Sequence, residues 1–167
     1  GGDWSKDRIL PDAIKALQIN KEIFIRNPES TRPWQHVLDP LSGYLTLAEK
    51  LYKSNQELDS KSNTVFASPF NFGPEISSNR TVEQLVNEII KYWPGTISKE
   101  VLSESLHEAE KLNLQIDKSF HLLQWKSKWD FQISVKRTVD WYYNFTQHKY
   151  SAYDLCVHDI DLFINGT

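Results

Sequence analysis

Glycine is scarce in this chain, with six in 167 residues, at positions 1, 2, 43, 73, 95 and 166. So placed, they spell no G-x-G-x-x-G or G-x-x-G-x-x-G turn of the kind that seats a dinucleotide pyrophosphate on a helix N-terminus, and there is no P-loop. No tyrosine is followed four residues later by lysine, so no phenol and ammonium group share one helix turn for proton transfer. The five histidines show no metal-ligand spacing, and His107-Glu108 lacks the second histidine that a zinc helix needs. The single cysteine, Cys156, excludes an internal disulfide and fits a reducing compartment. A net charge of −3 supplies no basic stripe, which argues against a nucleic-acid partner. No apolar run approaches the roughly 18 residues that span a bilayer, and no charged-then-apolar leader opens the sequence. Methionine is absent, and Gly1-Gly2-Asp3-Trp4 reads as the inside of a loop. The expectation is a cytoplasmic protein without membrane contact, seen here as a piece of something longer.

What is present is globular. Hydrophobic residues make up 40% and charged residues 25%, outside the composition of disorder. Helix and strand signals alternate without a linker or a repeat. Residues 8–20 set Ile9, Ala13, Ala16 and Leu17 on one helical face, and Ile23-Phe24-Ile25 reads as a strand closed by Asn27-Pro28. Pro33 biases Arg32 toward extended backbone, and a strand is expected to continue from Trp34 to Leu38. Asp39 with Pro40 reads as N-cap and first helical residue, opening a helix with Leu41, Tyr44, Leu45, Ala48, Leu51 and Tyr52 turned inward.

Val65 to Phe72 reads as a buried strand ending in Gly73-Pro74. Thr81 and Gln84 form a capping box before the most regular apolar period in the chain: Val82, Leu85, Val86, Ile89, Ile90 and Trp93. Leu112, Leu114 and Ile116 alternate as a strand. Helices are expected near 117–124, 131–145 and 154–164, the last with Cys156, Ile160, Phe163 and Ile164 inward. The fold class is therefore α/β and helix-rich, one unit over 1–167, with four or so short strands that make only an incomplete sheet.

Four segments taken in order resemble one family. They are Gly1-Gly2-Asp3-Trp4 with Asp7-Arg8-Ile9-Leu10-Pro11-Asp12; Ile25-Arg26-Asn27-Pro28 leading to Arg32-Pro33-Trp34-Gln35-His36-Val37-Leu38-Asp39-Pro40-Leu41-Ser42-Gly43-Tyr44-Leu45; Asn71-Phe72-Gly73-Pro74; and His107-Glu108-Ala109 with Trp125 downstream. Together they look like the CDP-glucose 4,6-dehydratases, which are extended short-chain dehydrogenases/reductases. The resemblance runs from residue 1 to about 146. It implies the C-terminal, substrate-binding part of a Rossmann-type fold, with the NAD-binding half, the glycine-rich loop and the Tyr-x-x-x-Lys pair lying outside this chain. In that family bound NAD is regenerated in each cycle: the sugar C4 hydroxyl is oxidised, water leaves across C5 and C6, and the hydride returns to C6.

The resemblance also implies which residues grip a CDP-sugar substrate. Arg32 is expected on the pyrophosphate, because a guanidinium can fork onto two oxygens where an ammonium cannot. Asn71 is expected on phosphate or ribose, Arg8 on the nucleotide, main chain at Ile9 and Leu10 along the base, and His107 on the diphosphate. No catalytic residue, cofactor-binding residue or metal ligand is expected in this chain, which alone should be inactive. The full-length protein is expected to be a homodimer. Asn113, Gln115, Ile116 and Gln124 depart from the family's usual residues and are expected away from the nucleotide. Two further readings stay open: another nucleotide-sugar epimerase or dehydratase, and a non-catalytic stand-alone binding module.

Overall fold

A computed structural model describes residues 1–56, 65–99 and 112–166 of the chain. In order, the elements are α1 (Ile9–Gln18), β1 (Ile23–Ile25), β2 (Thr31–Pro33), α2 (Leu38–Gln56), a 3₁₀ turn (Ile76–Ser78), β3 (Asn79–Thr81), α3 (Val82–Tyr92), β4 (Ile97–Lys99), α4 (Asp117–Leu123), α5 (Phe131–Thr146) and α6 (Ala152–Asn165). The helix-rich α/β class expected from the sequence is the one observed. Among the described residues the strands form two separate pairs: β1 runs parallel to β4, and β2 runs antiparallel to β3. No helix among them is long and apolar enough to cross a membrane.

The elements that form where the period predicts them build the main core. Ala13, Ile14 and Leu17 of α1, Ile23 and Ile25 of β1, Leu85, Val86 and Ile89 of α3, and Val135 and Val139 of α5 are buried together. Each valine, leucine or isoleucine among them contributes roughly 1.5–3 kcal/mol when removed from water. The capping box at α3 is complete: Gln84 N donates to Thr81 Oγ1 at 3.1 Å and Thr81 N donates to Gln84 Oε1 at 2.9 Å. α5 starts at Asp130, whose carboxylate accepts from Ile133 N at 2.8 Å. Gly95 lies against the end of the Leu17 side chain, which would have to shift to admit a β-carbon there.

Elsewhere the structure departs from the sequence reading, and each departure has a cause. The stretch from Trp34 to Leu38 is not a strand: β2 stops at Pro33, and a tight turn with Trp34 N donating to Arg32 O (3.1 Å) bends the chain away. α2 begins at Leu38, one residue before the expected cap. Asp39 is instead fully buried, and its carboxylate accepts from Lys128 N at 2.6 Å, tying α2 to the segment before α5.

The inward face expected for α2 is largely outward. Leu41, Tyr44, Leu45 and Tyr52 are exposed, Leu45 by 73% and Tyr52 by 67%, and the buried residues are Asp39, Gly43 and Ser54. What α2 does bury is its Gly43 side, in a small second cluster of Phe72, Leu123 and Trp125; Trp125 Nε1 donates to Ser42 Oγ at 2.9 Å.

Among the described residues neither 65–72 nor 112–116 is a strand. A strand needs a ladder of backbone hydrogen bonds, and among the described residues neither segment joins one of the two strand pairs, although Leu112 N touches β2 at Thr31 O. α6 has the expected extent but another phase: Leu155 and Asp159 are buried, while Cys156, Ile160 and Ile164 are exposed.

Candidate functional site

The β2–β3 ribbon carries Arg32 at its middle residue. The register pairs Thr31 with Thr81, Arg32 with Arg80 and Pro33 with Asn79. Backbone bonds beyond the Thr31–Thr81 pair lengthen this short ladder at one end: Val82 N donates to Ser30 O (2.9 Å) and Glu83 N to Pro28 O (3.0 Å). Arg32 is half-buried, and its Nη1 donates to Thr31 O at 2.8 Å. The Trp34 indole, just past the strand, donates across the ribbon to Arg80 O at 2.9 Å and holds the two strands in register.

The extended segment 112–116 acts as a strap between this ribbon and Asn71. Leu112 N donates to Thr31 O (3.4 Å), Asn79 Nδ2 donates to Asn113 Oδ1 (3.1 Å), and Asn71 Nδ2 donates to Gln115 O (3.2 Å). Ser119 Oγ closes the far end on Asn71 O at 2.8 Å, and Gln35 Nε2, three residues after Arg32, donates to Phe72 O at 3.0 Å. Gly73 lets the strap approach, since a β-carbon there would press on Leu114 and Ile116.

Asn71 is thus exposed on an irregular segment, not at the end of a buried strand, and it spends one amide proton on Gln115 while its Oδ1 keeps its acceptor capacity. The Asn113 side chain and the Gln115 main chain are direct partners of Asn79 and Asn71.

The other expected residues are placed less tightly. Arg8 is the exposed N-cap of α1, with extended backbone and no side-chain cap. Asp7 before it has a left-handed φ of 60° and pairs with Arg26 at 2.5 Å, which fixes the start of α1 against the end of β1. Ile9 and Leu10 turn their side chains to the main core, while their amides lie in the first helical turn, where no intrahelical acceptor exists. Among the described residues, no hydrogen bond or ion pair joins Arg8 to the ribbon. His107 lies outside the described residues.

Sequence reasoning missed a buried polar junction beside the ribbon. His36 is 3% exposed, packs edge-on against Trp129 with ring centroids 4.7 Å apart, and accepts at Nδ1 from Leu38 N at 3.3 Å. Burial, with Arg137 adding positive charge nearby, lowers its pKa to about 4, so the ring is neutral at neutral pH. Asp39 moves the other way: burial raises its pKa against the opposing pull of the amides of Lys128 and Trp129. The sequence offered Asp39 as a helix cap and both residues as part of a motif, but their burial carries no periodic signal.

Among the described residues the glycines do not form a dinucleotide turn. Gly43, Gly73 and Gly95 are filled against Phe72, Leu114 and Leu17, and Gly1 and Gly2 lie on Trp141, so none of these five opens a strand-to-helix turn toward a pyrophosphate. Among the described residues no group of three or more His, Cys, Asp or Glu side chains could hold a metal ion.

No protein-family model matches the chain. The CDP-glucose 4,6-dehydratase of Salmonella typhimurium (strain LT2) is 38% identical to it over 143 residues, covering 85% of this chain and 38% of that protein. Among solved structures, dTDP-glucose 4,6-dehydratase from Bacillus anthracis in complex with NAD superposes with a TM-score of 0.64 at 17% identity, over 84% of this chain and 40% of that one. UDP-glucuronic acid 4-epimerase from Bacillus cereus, in complex with UDP-glucuronic acid and NAD, gives a TM-score of 0.65 at 16% identity, over 83% and 40%. The fold is therefore shared with part of the extended short-chain dehydrogenase/reductase architecture. The chain spans about two fifths of the length of each of these proteins.

Proposed function

Since the chain belongs to the CDP-glucose 4,6-dehydratase family, we propose that it is the C-terminal, sugar-nucleotide-binding part of an enzyme that converts CDP-glucose to CDP-4-keto-6-deoxyglucose. The observation that carries this reading is the 38% identity, sustained over 85% of the chain, to a protein of that activity. The residues at hand suit a binding role. Arg32 offers a planar fork for the diphosphate from a ribbon whose register is pinned, and Asn71 offers an amide oxygen from the far end of the strap. Arg8 and the main chain of Ile9 and Leu10 reach the nucleoside from the start of α1, and His107 adds a further diphosphate contact. These groups hold and orient the substrate.

NAD dependence of the whole protein rests on the family likeness and on the NAD bound in the two structural relatives. Because this chain's glycines do not fit that cofactor, its site belongs to the remaining part, and no step through it is assigned to residues here.

The outward apolar face of α2 supports a part rather than a stand-alone module. Leu41, Tyr44, Leu45 and Tyr52 are exposed on one side of α2, with Val37 exposed just before it, a surface suited to packing against another part of the protein. The test is to incubate the complete protein with CDP-glucose, UDP-glucose and dTDP-glucose and follow loss of one water by mass spectrometry. Dehydration of CDP-glucose in preference to the other two is expected. Turnover of only UDP- or dTDP-glucose would overturn the nucleotide assignment, and tight binding without turnover of any would favour a non-catalytic module.

A further inference from the structure

The antiparallel ribbon sets Arg80 directly opposite Arg32. Residues so paired project from the same face with β-carbons about 4.5–5.5 Å apart, and like charges placed there repel. Both arginines are half-buried.

Arg80 makes no ion pair among the described residues. One of its five donors goes to Asn79 O at 3.0 Å, and its guanidinium lies over the Phe131 ring, 5.7 Å from the centroid. Stacking of that kind occupies the face of the guanidinium and leaves its edge, where the remaining donors lie, for another group. The backbone of Arg80 is fixed by the Trp34 indole, so the side chain departs from a rigid point. Two forks on one face of a pinned ribbon match an anion that carries charge on two linked centres and can bridge them. A nucleoside diphosphate has that form.

We infer that Arg80 is a second diphosphate-gripping residue, acting across the ribbon with Arg32 on the diphosphate of the sugar nucleotide. The inference rests on the role given to Arg32 above. The sequence hid it because Arg80 sits in a short polar stretch before a capping box, with no spacing that links it to position 32. Only the register joins them.

The experiment is calorimetry on the complete protein with CDP and CMP as probes, comparing wild type with Arg32→Gln, Arg80→Gln and Arg80→Lys. Losing a charge-assisted bond should weaken CDP binding roughly 10-fold or more in each Gln variant. CMP binding should fall less, so the preference for CDP over CMP shrinks, an effect that a merely structural role for Arg80 would not produce. Arg80→Lys, which keeps the charge without the fork, should fall between Arg80→Gln and wild type. If Arg32→Gln weakens CDP binding while Arg80→Gln stays within about twofold of wild type, this inference is overturned and the reading of Arg32 stands. If both stay within about twofold, both are overturned. An equal loss of CDP and CMP affinity in Arg80→Gln also overturns it. Should Arg80→Gln fail to fold, Arg80→Lys decides, and unchanged CDP affinity in that variant overturns the inference.

Discussion

Replacing His36 with asparagine should flatten the acid sensitivity of the fold. The imidazole is buried and held neutral, with a pKa lowered to about 4, whereas an unfolded histidine titrates near 6.5. Below pH 6.5 the unfolded chain takes up a proton that the folded chain refuses, so stability falls as pH drops from about 6.5 toward 4. A shift of that size corresponds to about 3 kcal/mol over the whole window, and to about 2 kcal/mol between pH 7 and pH 5. Asparagine keeps an acceptor for Leu38 N, now made to His36 Nδ1 at 3.3 Å, and cannot titrate. It loses the edge contact with Trp129, so its stability at pH 7 should drop somewhat, but the pH slope is the quantity of interest. Asp39, with its pKa raised by burial, is relieved of its penalty as pH falls, and comparing slopes between variant and wild type removes that common contribution. The assay is urea unfolding of the complete protein at pH 7 and pH 5, followed by tryptophan emission, with the histidine ring signals titrated by NMR in parallel. A wild-type His36 ring that protonates near pH 6.5, or a slope identical in the variant, would refute the reasoning.

Three further outcomes are expected. Arg32→Lys should raise the dissociation constant for CDP-glucose roughly 10- to 150-fold, the cost of a hydrogen bond to a charged group, with NAD affinity unchanged; calorimetry with each ligand checks it. Thr81→Ala removes the acceptor for Gln84 N and should cost about 1 kcal/mol in chemical denaturation, since the capping box at α3 loses its side-chain half. Leu45→Glu, on the most exposed part of the α2 face, should reduce self-association of the isolated chain in light scattering and lower the thermal midpoint of the complete protein; no change in either would mean that the face is ordinary surface.

The parts of this fold that could be read from the sequence are those whose apolar periods are answered within the chain. α1 and α3 turn the residues that their spacing nominates toward the core, fully for Ala13, Leu17, Leu85, Val86 and Ile89 and partly for Ile9, Ala16, Val82 and Ile90, and Thr81 and Gln84 announce the helix start they build. The failures cluster where the answering surface is absent. α2 carries a good apolar stripe whose natural reading is inward, yet Leu41, Tyr44 and Leu45 face out because nothing among the described residues covers them. Val65 to Phe72 has strand composition but no strand beside it. β3 and β4 were invisible for another reason: three residues are too few to show alternation, and both are largely polar. Of the candidate site, the motif around Arg32 and Asn71 was legible as a resemblance. The ribbon register and the strap that joins the two were not, since both are made by backbone and amide bonds between residues 34 to 81 positions apart.

The contact between Gly43 and Phe72 sets a rule for how this chain can drift. The Phe72 ring occupies the space that a β-carbon on residue 43 would need, and α2 is held there also by Ser42 on Trp125 and by Asp39 on Lys128. The helix cannot slide to make room without breaking both. Positions 43 and 72 therefore behave as one unit under substitution: alanine at 43 is tolerable only alongside a smaller side chain at 72, and either change made first passes through a less stable intermediate. Descendants of this chain should keep the glycine–phenylalanine pair or replace both, and mixed combinations should be rare.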